Sequence, residues 1–117
     1  MALENKDVVF KYNKKIKMKA TRKSSEGTSF FNHTIQASVS DLRQILGLPV
    51  YDKNDGEDKV NFEWVMETKD GDVFTVYDWK EYRELKETDI VGWHIGGHNA
   101  QVTAQANEEL ELYISFK

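Results

Sequence analysis

The chain reads as an α+β domain, with an antiparallel sheet of four to five strands and two helices packed against it. Three observations predict this. Segments that alternate apolar and polar residues recur along the sequence. An Asp-Gly dipeptide joins the two strongest of them. Two further stretches place apolar residues at helical spacing behind capping residues. With 117 residues, 39% of them hydrophobic and 31% charged, the chain supplies one core and one domain, residues 1–117.

Val8–Tyr12 is a short β-branched and aromatic run. Lys14–Arg22 then alternates strictly, with Ile16, Met18 and Ala20 on one face and Lys15, Lys17 and Lys19 on the other, the pattern of a half-buried strand. Lys23–Thr28 is a polar turn, and Phe30–Ser38 returns as a strand, so residues 14–38 read as a hairpin. Ser40 is placed to cap a helix over Asp41–Leu46, where Leu42, Ile45 and Leu46 share a face; Gly47 closes it and Pro49, the one proline, stops it resuming. Tyr51–Lys59 is an acidic, flexible loop.

Asn61–Thr68 and Val73–Lys80 are the strongest strand segments, joined by Lys69-Asp70-Gly71-Asp72. Phe62, Trp64 and Met66 share a face of the first. On the second, Phe74 and Val76 face one way, and Val73, Thr75, Tyr77 and Trp79 the other. A hairpin apolar on both faces is either covered on both sides or offers one face to a ligand or subunit. Glu81–Asp89 is a charged loop, and Trp93–Gly97 a short edge segment. Asn99 caps a helix from Ala100 to about Glu109. The last eight residues fit two readings, a strand alternating through Leu110, Leu112, Ile114 and Phe116, or a helical stripe of Val102, Ala106, Leu110 and Ile114.

The net charge of −4 hides a division. Residues 1–23 carry eight Lys/Arg against Glu4 and Asp7, while the remainder carries eight basic and eighteen acidic residues. The basic segment, within residues 1–30, suggests an anionic partner or docking on the acidic remainder, the alternative being lysines that merely solvate the outer face of a strand. An acidic protein without a helix-turn-helix or finger signature is a poor duplex DNA reader, and a small phosphate-bearing ligand suits the balance better. The absence of cysteine excludes disulfides, thiolate metal sites and a cysteine nucleophile. No apolar run approaches the roughly 20 residues of a membrane span, and the MALENKD start is too polar for a signal peptide, so the cytoplasm is the expected location and no membrane is involved.

Motifs for chemistry are weak. Asp52, Asn54, Asp55, Gly56 and Asp58 invite a calcium reading, but the glycine falls one place early for an EF-hand and a solvated turn explains the loop. His94 and His98 are separated by Gly96 and Gly97, which breaks the shared helical face a zinc site needs. No nucleophile elbow or phosphate-cradling loop occurs. The expectation is therefore a binder, not an enzyme, with no cofactor and no metal.

The informative stretch is Tyr77-Asp78-Trp79-Lys80, followed by Trp93-His94-Ile95-Gly96-Gly97. Rings stack on bases, a carboxylate accepts from a guanine edge, an ammonium holds phosphate, and bare glycine N–H groups before a helix bind an anion. Burial in the core is the competing reading for Trp79 and Trp93.

Thr34–Pro49, with its Ser-Asp-Leu-x-x-Ile-Leu-Gly-x-Pro pattern, precedes Asp58-Lys59-Val60, Glu63-Trp64, the Asp70-Gly71 turn, Tyr77-Asp78-Trp79-Lys80 and Trp93-His94-Ile95-Gly96-Gly97. This order resembles a large family of small bacteriophage-encoded proteins, over roughly residues 34–105. It also looks like the anti-CBASS sponge proteins, which assemble as homotetramers and sequester cyclic dinucleotides such as cGAMP. The resemblance implies immune evasion in the host cytoplasm, a cyclic nucleotide ligand, a homo-oligomer and no turnover. No ligand-contacting residue is carried over from the sponges, so the expected site rests on side-chain chemistry. Tyr77, Trp79 and Trp93 would stack, Lys80, Lys59 and Arg83 would take phosphate, and Asp78 would read a base edge. Gly96, Gly97 and His98 would add donors, with Trp64 in the core. The rivals are a protein that binds a host protein through its basic strand, and a single-stranded nucleic-acid binder using the lysine stripe.

Overall fold

The computed structural model describes residues 18–115. It is an α+β fold in which one antiparallel sheet carries both helices on a single face. In chain order the elements are β1 (Lys19–Ala20), β2 (Ser29–Ser38), α1 (Val39–Leu46), β3 (Tyr51–Asp52), β4 (Phe62–Glu67), β5 (Val73–Tyr77), β6 (Ile90–Gly97) and α2 (Ala100–Ser115). The strand order is β1-β4-β5-β6-β2, and β3 also pairs with β4. Among the described residues this gives six strands, slightly more than the four to five expected, because Tyr51–Asp52 leaves the acidic loop to pair with Phe62 and Glu63.

The local signals act as their chemistry requires. At the β4–β5 turn Gly71 holds φ +87°. Thr68 N donates to Asp72 O, and Gly71 N to Thr68 O, both at 2.9 Å. β5 ends at Tyr77 rather than Lys80. Helix α1 starts earlier than Ser40, since the cap is Ser38. Its Oγ accepts from Asp41 N at 3.0 Å while Asp41 Oδ2 accepts from Ser38 N at 3.4 Å, a reciprocal capping box that lets β2 run straight into the helix. Gly47 caps the other end, its N–H reaching Arg43 O at 2.9 Å. At α2, Asn99 Oδ1 accepts from Val102 N at 2.9 Å. The helix continues through Ser115, so the helical reading of the tail holds as far as that residue.

Pairing between distant segments departs from the sequence reading. The described part of the expected 14–38 hairpin, residues 18–38, does not pair with itself. Lys19 and Ala20 pair with Glu67 and Met66 of β4, whereas β2 pairs with β6 at the far edge. Residues 14–17, the Val8–Tyr12 run and most of the basic segment lie outside the described residues. Within them, Lys19 and Lys23 lie 3.4 and 3.5 Å from the Glu67 carboxylate, so two of the basic residues dock on the acidic remainder. Trp93–Gly97 is not an edge segment. It belongs to a strand lying between β5 and β2.

The core lies between the sheet and the two helices. Phe62, Trp64, Phe74, Val76, Trp93 and Ile95 from the sheet meet Leu42 and Leu46 of α1 and Val102, Ala106 and Leu110 of α2. Trp64 and Trp93 meet edge to face at 5.6 Å. Each buried indole N–H is satisfied by a backbone carbonyl, Trp64 by Gly47 O and Trp93 by Ala37 O, both at 2.9 Å. Among the described residues no helix is long and apolar enough to cross a membrane.

Candidate functional site

The segment that leaves β5 is held from within. Asp78 is fully buried, and its carboxylate accepts from Asn61 N at 2.8 Å, Phe62 N at 2.9 Å and Asn61 Nδ2 at 3.0 Å. Burial raises its pKa, and the hydrogen bonds from Phe62 and Asn61 oppose the rise. Two asparagines then bind the loops on either side of this anchor. Asn61 bridges Gly56 N and Arg83 O, and Asn54 exchanges a reciprocal pair of 2.7 Å bonds with the backbone of Leu85. The loops approach so closely at Gly56 that a Cβ there would lie 2.6 Å from Arg83 Cα, and its φ is +74°. Only glycine meets both conditions.

Trp79 stands on this clamped base, 39% exposed, at the rim of the sheet face opposite the helices. Strand register explains what surrounds it. Tyr51 lies opposite Glu63, Glu63 opposite Tyr77, Tyr77 opposite His94 and His94 opposite Thr34, so one row of side chains crosses five strands on the open face. The rings make a continuous cluster. Phe30 stacks on His94 at 4.1 Å, Tyr77 lies 5.5 Å from His94, and Trp79 lies 6.1 Å from Tyr77 and 6.3 Å from His94. Burial lowers the pKa of His94, favouring the neutral imidazole.

Two ammonium groups flank the indole, with Lys59 Nζ 5.8 Å and Lys80 Nζ 5.6 Å from its ring centroid. A 2.7 Å bond from Lys80 N to Lys59 O fixes the two lysines side by side. Lys80 and Tyr82 have φ values of +57° and +52°, a conformation that costs a side-chain-bearing residue about 1–3 kcal/mol. The strain sits beside the one large aromatic of this loop that is both exposed and ringed by other rings and cations.

Trp79 separates two adjoining clefts. One, of about 230 Å³, runs over the sheet between Tyr77, Thr75, Gly96 and Ser29. The other, of about 450 Å³, lies between Tyr51, Asp58 and Lys59. Val60, Glu63 and Trp79 line both. Gly96 forms the floor of the first, where a Cβ would come within 2.5 Å of Thr75 Oγ1 and 3.6 Å of the Tyr77 ring.

The structure brings together Tyr77, Trp79, Lys59, Lys80 and Gly96 of the expected residues. It separates the others. Trp93 is a core residue with no exposed face, so it offers no stacking surface. Asp78 is fully buried, holds three donors and lines neither cleft, so it does not present its carboxylate to a ligand edge. The Arg83 guanidinium pairs with Asp89 at 3.0 Å and Glu81 at 3.3 Å, away from the indole. Gly96 and Gly97 sit in a strand, paired with Phe30 and Ser29 of β2, so their N–H groups do not form a helix-terminal anion nest. Gly97 is instead where Thr103 of α2 packs closest, 2.9 Å from a notional Cβ. The His98 ring lies beside Gly27, outside both clefts.

Glu63, His94, Phe30 and Tyr51 belong to the site and were missed. Outward-facing parity on a strand was the available signal for Glu63 and His94, and the sheet register supplies the rest. Among the described residues no group of three His, Cys, Asp or Glu side chains is placed to hold a metal ion. Compared with protein-family models, curated proteins and solved structures, the chain matches none.

Proposed function

We propose that this chain is a binding protein without catalytic activity that captures a cyclic oligonucleotide at the Trp79 clefts, in the manner of a phage-encoded sponge for immune messengers. One observation carries the reading. An exposed indole rises between two lysine ammonium groups and beside a cluster of three further rings, on a base clamped by buried hydrogen bonds. A cyclic dinucleotide has two bases that need aromatic faces and two phosphates that need cations, and base stacking on an aromatic side chain is worth about 1–3 kcal/mol. The larger cleft, about 450 Å³, falls within the span of small-molecule sites. Clamping the loops before the ligand arrives lowers the ordering cost of binding.

The observed geometry gives less support to the protein-docking rival, because Lys19 and Lys23 are already engaged by Glu67. Thermal unfolding with a panel of cyclic di- and trinucleotides tests the proposal. A ligand at about 100 times its Kd adds roughly 2.7 kcal/mol, several degrees for a domain of this size. The shift should vanish in Trp79→Ala. A panel without any shift in the parent protein would overturn the reading.

A further inference from the structure

Among the described residues, Glu63 is the one acidic side chain shared by both clefts. It is half-buried and has no hydrogen-bond or ion-pair partner among the described residues. Its treatment differs from that of the carboxylates the fold withdraws furthest from water. Asp78 accepts three hydrogen bonds, Glu67 meets two lysines, and Glu109 accepts from Gln105 at 3.0 Å through one oxygen, its other oxygen having no hydrogen bond among the described residues. A partly desolvated carboxylate without a partner in the fold keeps its acceptor capacity for water or for a ligand that enters the cleft. Burial raises the pKa of Glu63, and its charge adds to burial in raising that of Tyr77, as expected of a carboxylate that lacks a cationic neighbour.

Position narrows what that partner can be. Tyr51 and Tyr77 are the cross-strand neighbours of Glu63, one on each side, so the carboxylate is set between two aromatic residues and close to Trp79. A phosphate is excluded next to it by like charge, and the lysines that would take phosphate lie at the indole instead. A flat base that stacks in this cleft therefore directs its edge towards Glu63. Guanine presents the N1–H and the 2-amino group as two adjacent donors, matching the two oxygens of a carboxylate. Adenine presents the N1 lone pair at the same place, acceptor against acceptor.

We propose that Glu63 is the specificity residue of the clefts, accepting from the N1–H and 2-amino group of a guanine and so selecting guanine-bearing cyclic nucleotides over those carrying only adenine. The assignment rests on the cyclic-nucleotide reading of the site and deepens it. Asn61 and Asp78, two residues and one loop away, hold the strand that carries Glu63 but contact the cleft with neither side chain.

The test is titration calorimetry of the intact protein with cyclic di-GMP, cyclic di-IMP and cyclic di-AMP, repeated with Glu63→Gln and Trp79→Ala. Inosine keeps the N1–H and lacks the 2-amino group, so the parent protein should bind in the order guanine, inosine, adenine. The guanine-to-adenine ratio should be roughly ten- to a hundredfold. Glu63→Gln should abolish most of that ratio, and by offering an amide donor to adenine N1 it should tighten cyclic di-AMP. Trp79→Ala should weaken all three ligands together. Equal affinity for the three in the parent protein, or a guanine preference that survives Glu63→Gln, overturns the role of Glu63 and leaves the cyclic-nucleotide reading standing. If no ligand binds the parent protein, both fall. The inosine comparison needs no variant, so it decides even if Glu63→Gln fails to fold.

Discussion

The two faces of the sheet use the same residue types for opposite ends. On the helix-covered face Trp64 and Trp93 are fully buried, touch edge to face, and spend their indole N–H groups on the carbonyls of Gly47 and Ala37. On the open face Trp79 keeps 39% of its surface in water and meets two lysines and two rings. The carboxylates divide likewise. Asp78 is buried with three donors, and Glu63 is half-buried with no donor among the described residues. Apart from Asn107 Oδ1 and Glu109 Oε1 on α2, the buried side-chain polar atoms of the helix-covered side are answered among the described residues, whereas the open face has aromatic area and charge left over.

The sharpest way to break the comparison is to truncate matching residues on the two faces. Trp93→Ala should cost about 3–5 kcal/mol in chemical denaturation, as expected of a large aromatic removed from a core. Trp79→Ala should cost less than about 1 kcal/mol and remove binding instead. Similar losses of stability from both would mean that Trp79 is structural and would sink the contrast.

Next in size is the buried anchor. Asp78→Ala strands the N–H groups of Asn61 and Phe62 and should cost on the order of 3 kcal/mol. Asp78→Asn keeps one acceptor and should recover part of the loss, measured by the same unfolding curves.

A smaller effect has the opposite sign. Lys80→Gly removes the strain of a side chain at φ +57° and should leave stability unchanged or raise it by up to about 1 kcal/mol, while weakening ligand binding. A loss of stability would show that the Lys80 side chain supports the fold.

The mildest effect is on pH dependence. His94 has its pKa lowered by burial, so the unfolded chain takes up the proton more readily, and stability should be lost as pH falls through and below the ordinary imidazole range. Glu63 and Asp78, whose pKa values are raised, act the other way: the folded chain holds their protons more readily, so their contribution is lost as pH rises through and above the usual carboxylate range. His94→Gln should flatten the slope of unfolding free energy between roughly pH 7 and pH 5. An unchanged slope would assign it to other groups.

What the sequence disclosed follows the range of the forces involved. The Asp70-Gly71 turn, the Gly47 closure and the Asn99 cap are decided by a few neighbouring residues and could be read directly. The partner of β2 was not legible, because alternation says which face of a strand is buried but not which strand lies beside it. Adjacency in the chain favoured residues 14–22, and the sheet placed β6 there instead. The Tyr77–Lys80 block was half read. Trp79 lines both clefts and the Lys80 ammonium lies 5.6 Å from its ring, but Asp78 is claimed by donors from Asn61 and Phe62, seventeen and sixteen positions earlier, which no local pattern reveals. Trp93 looked equivalent to Trp79 because both are tryptophans beside charged loops. Strand parity, which puts Trp93 with Val91 and Ile95, was the signal that separates them.

The placement of the three indoles also makes the molecule its own spectroscopic gauge. Trp64 and Trp93, shielded from water, emit from an apolar, hydrogen-bonded setting and shift to the red only when the fold opens. Trp79 alone can be reached by a dissolved quencher, and the ammonium groups of Lys59 and Lys80 draw iodide towards it more strongly than they draw neutral acrylamide. Collisional quenching and the emission maximum therefore follow the two faces of the sheet separately, in one cuvette and without a label.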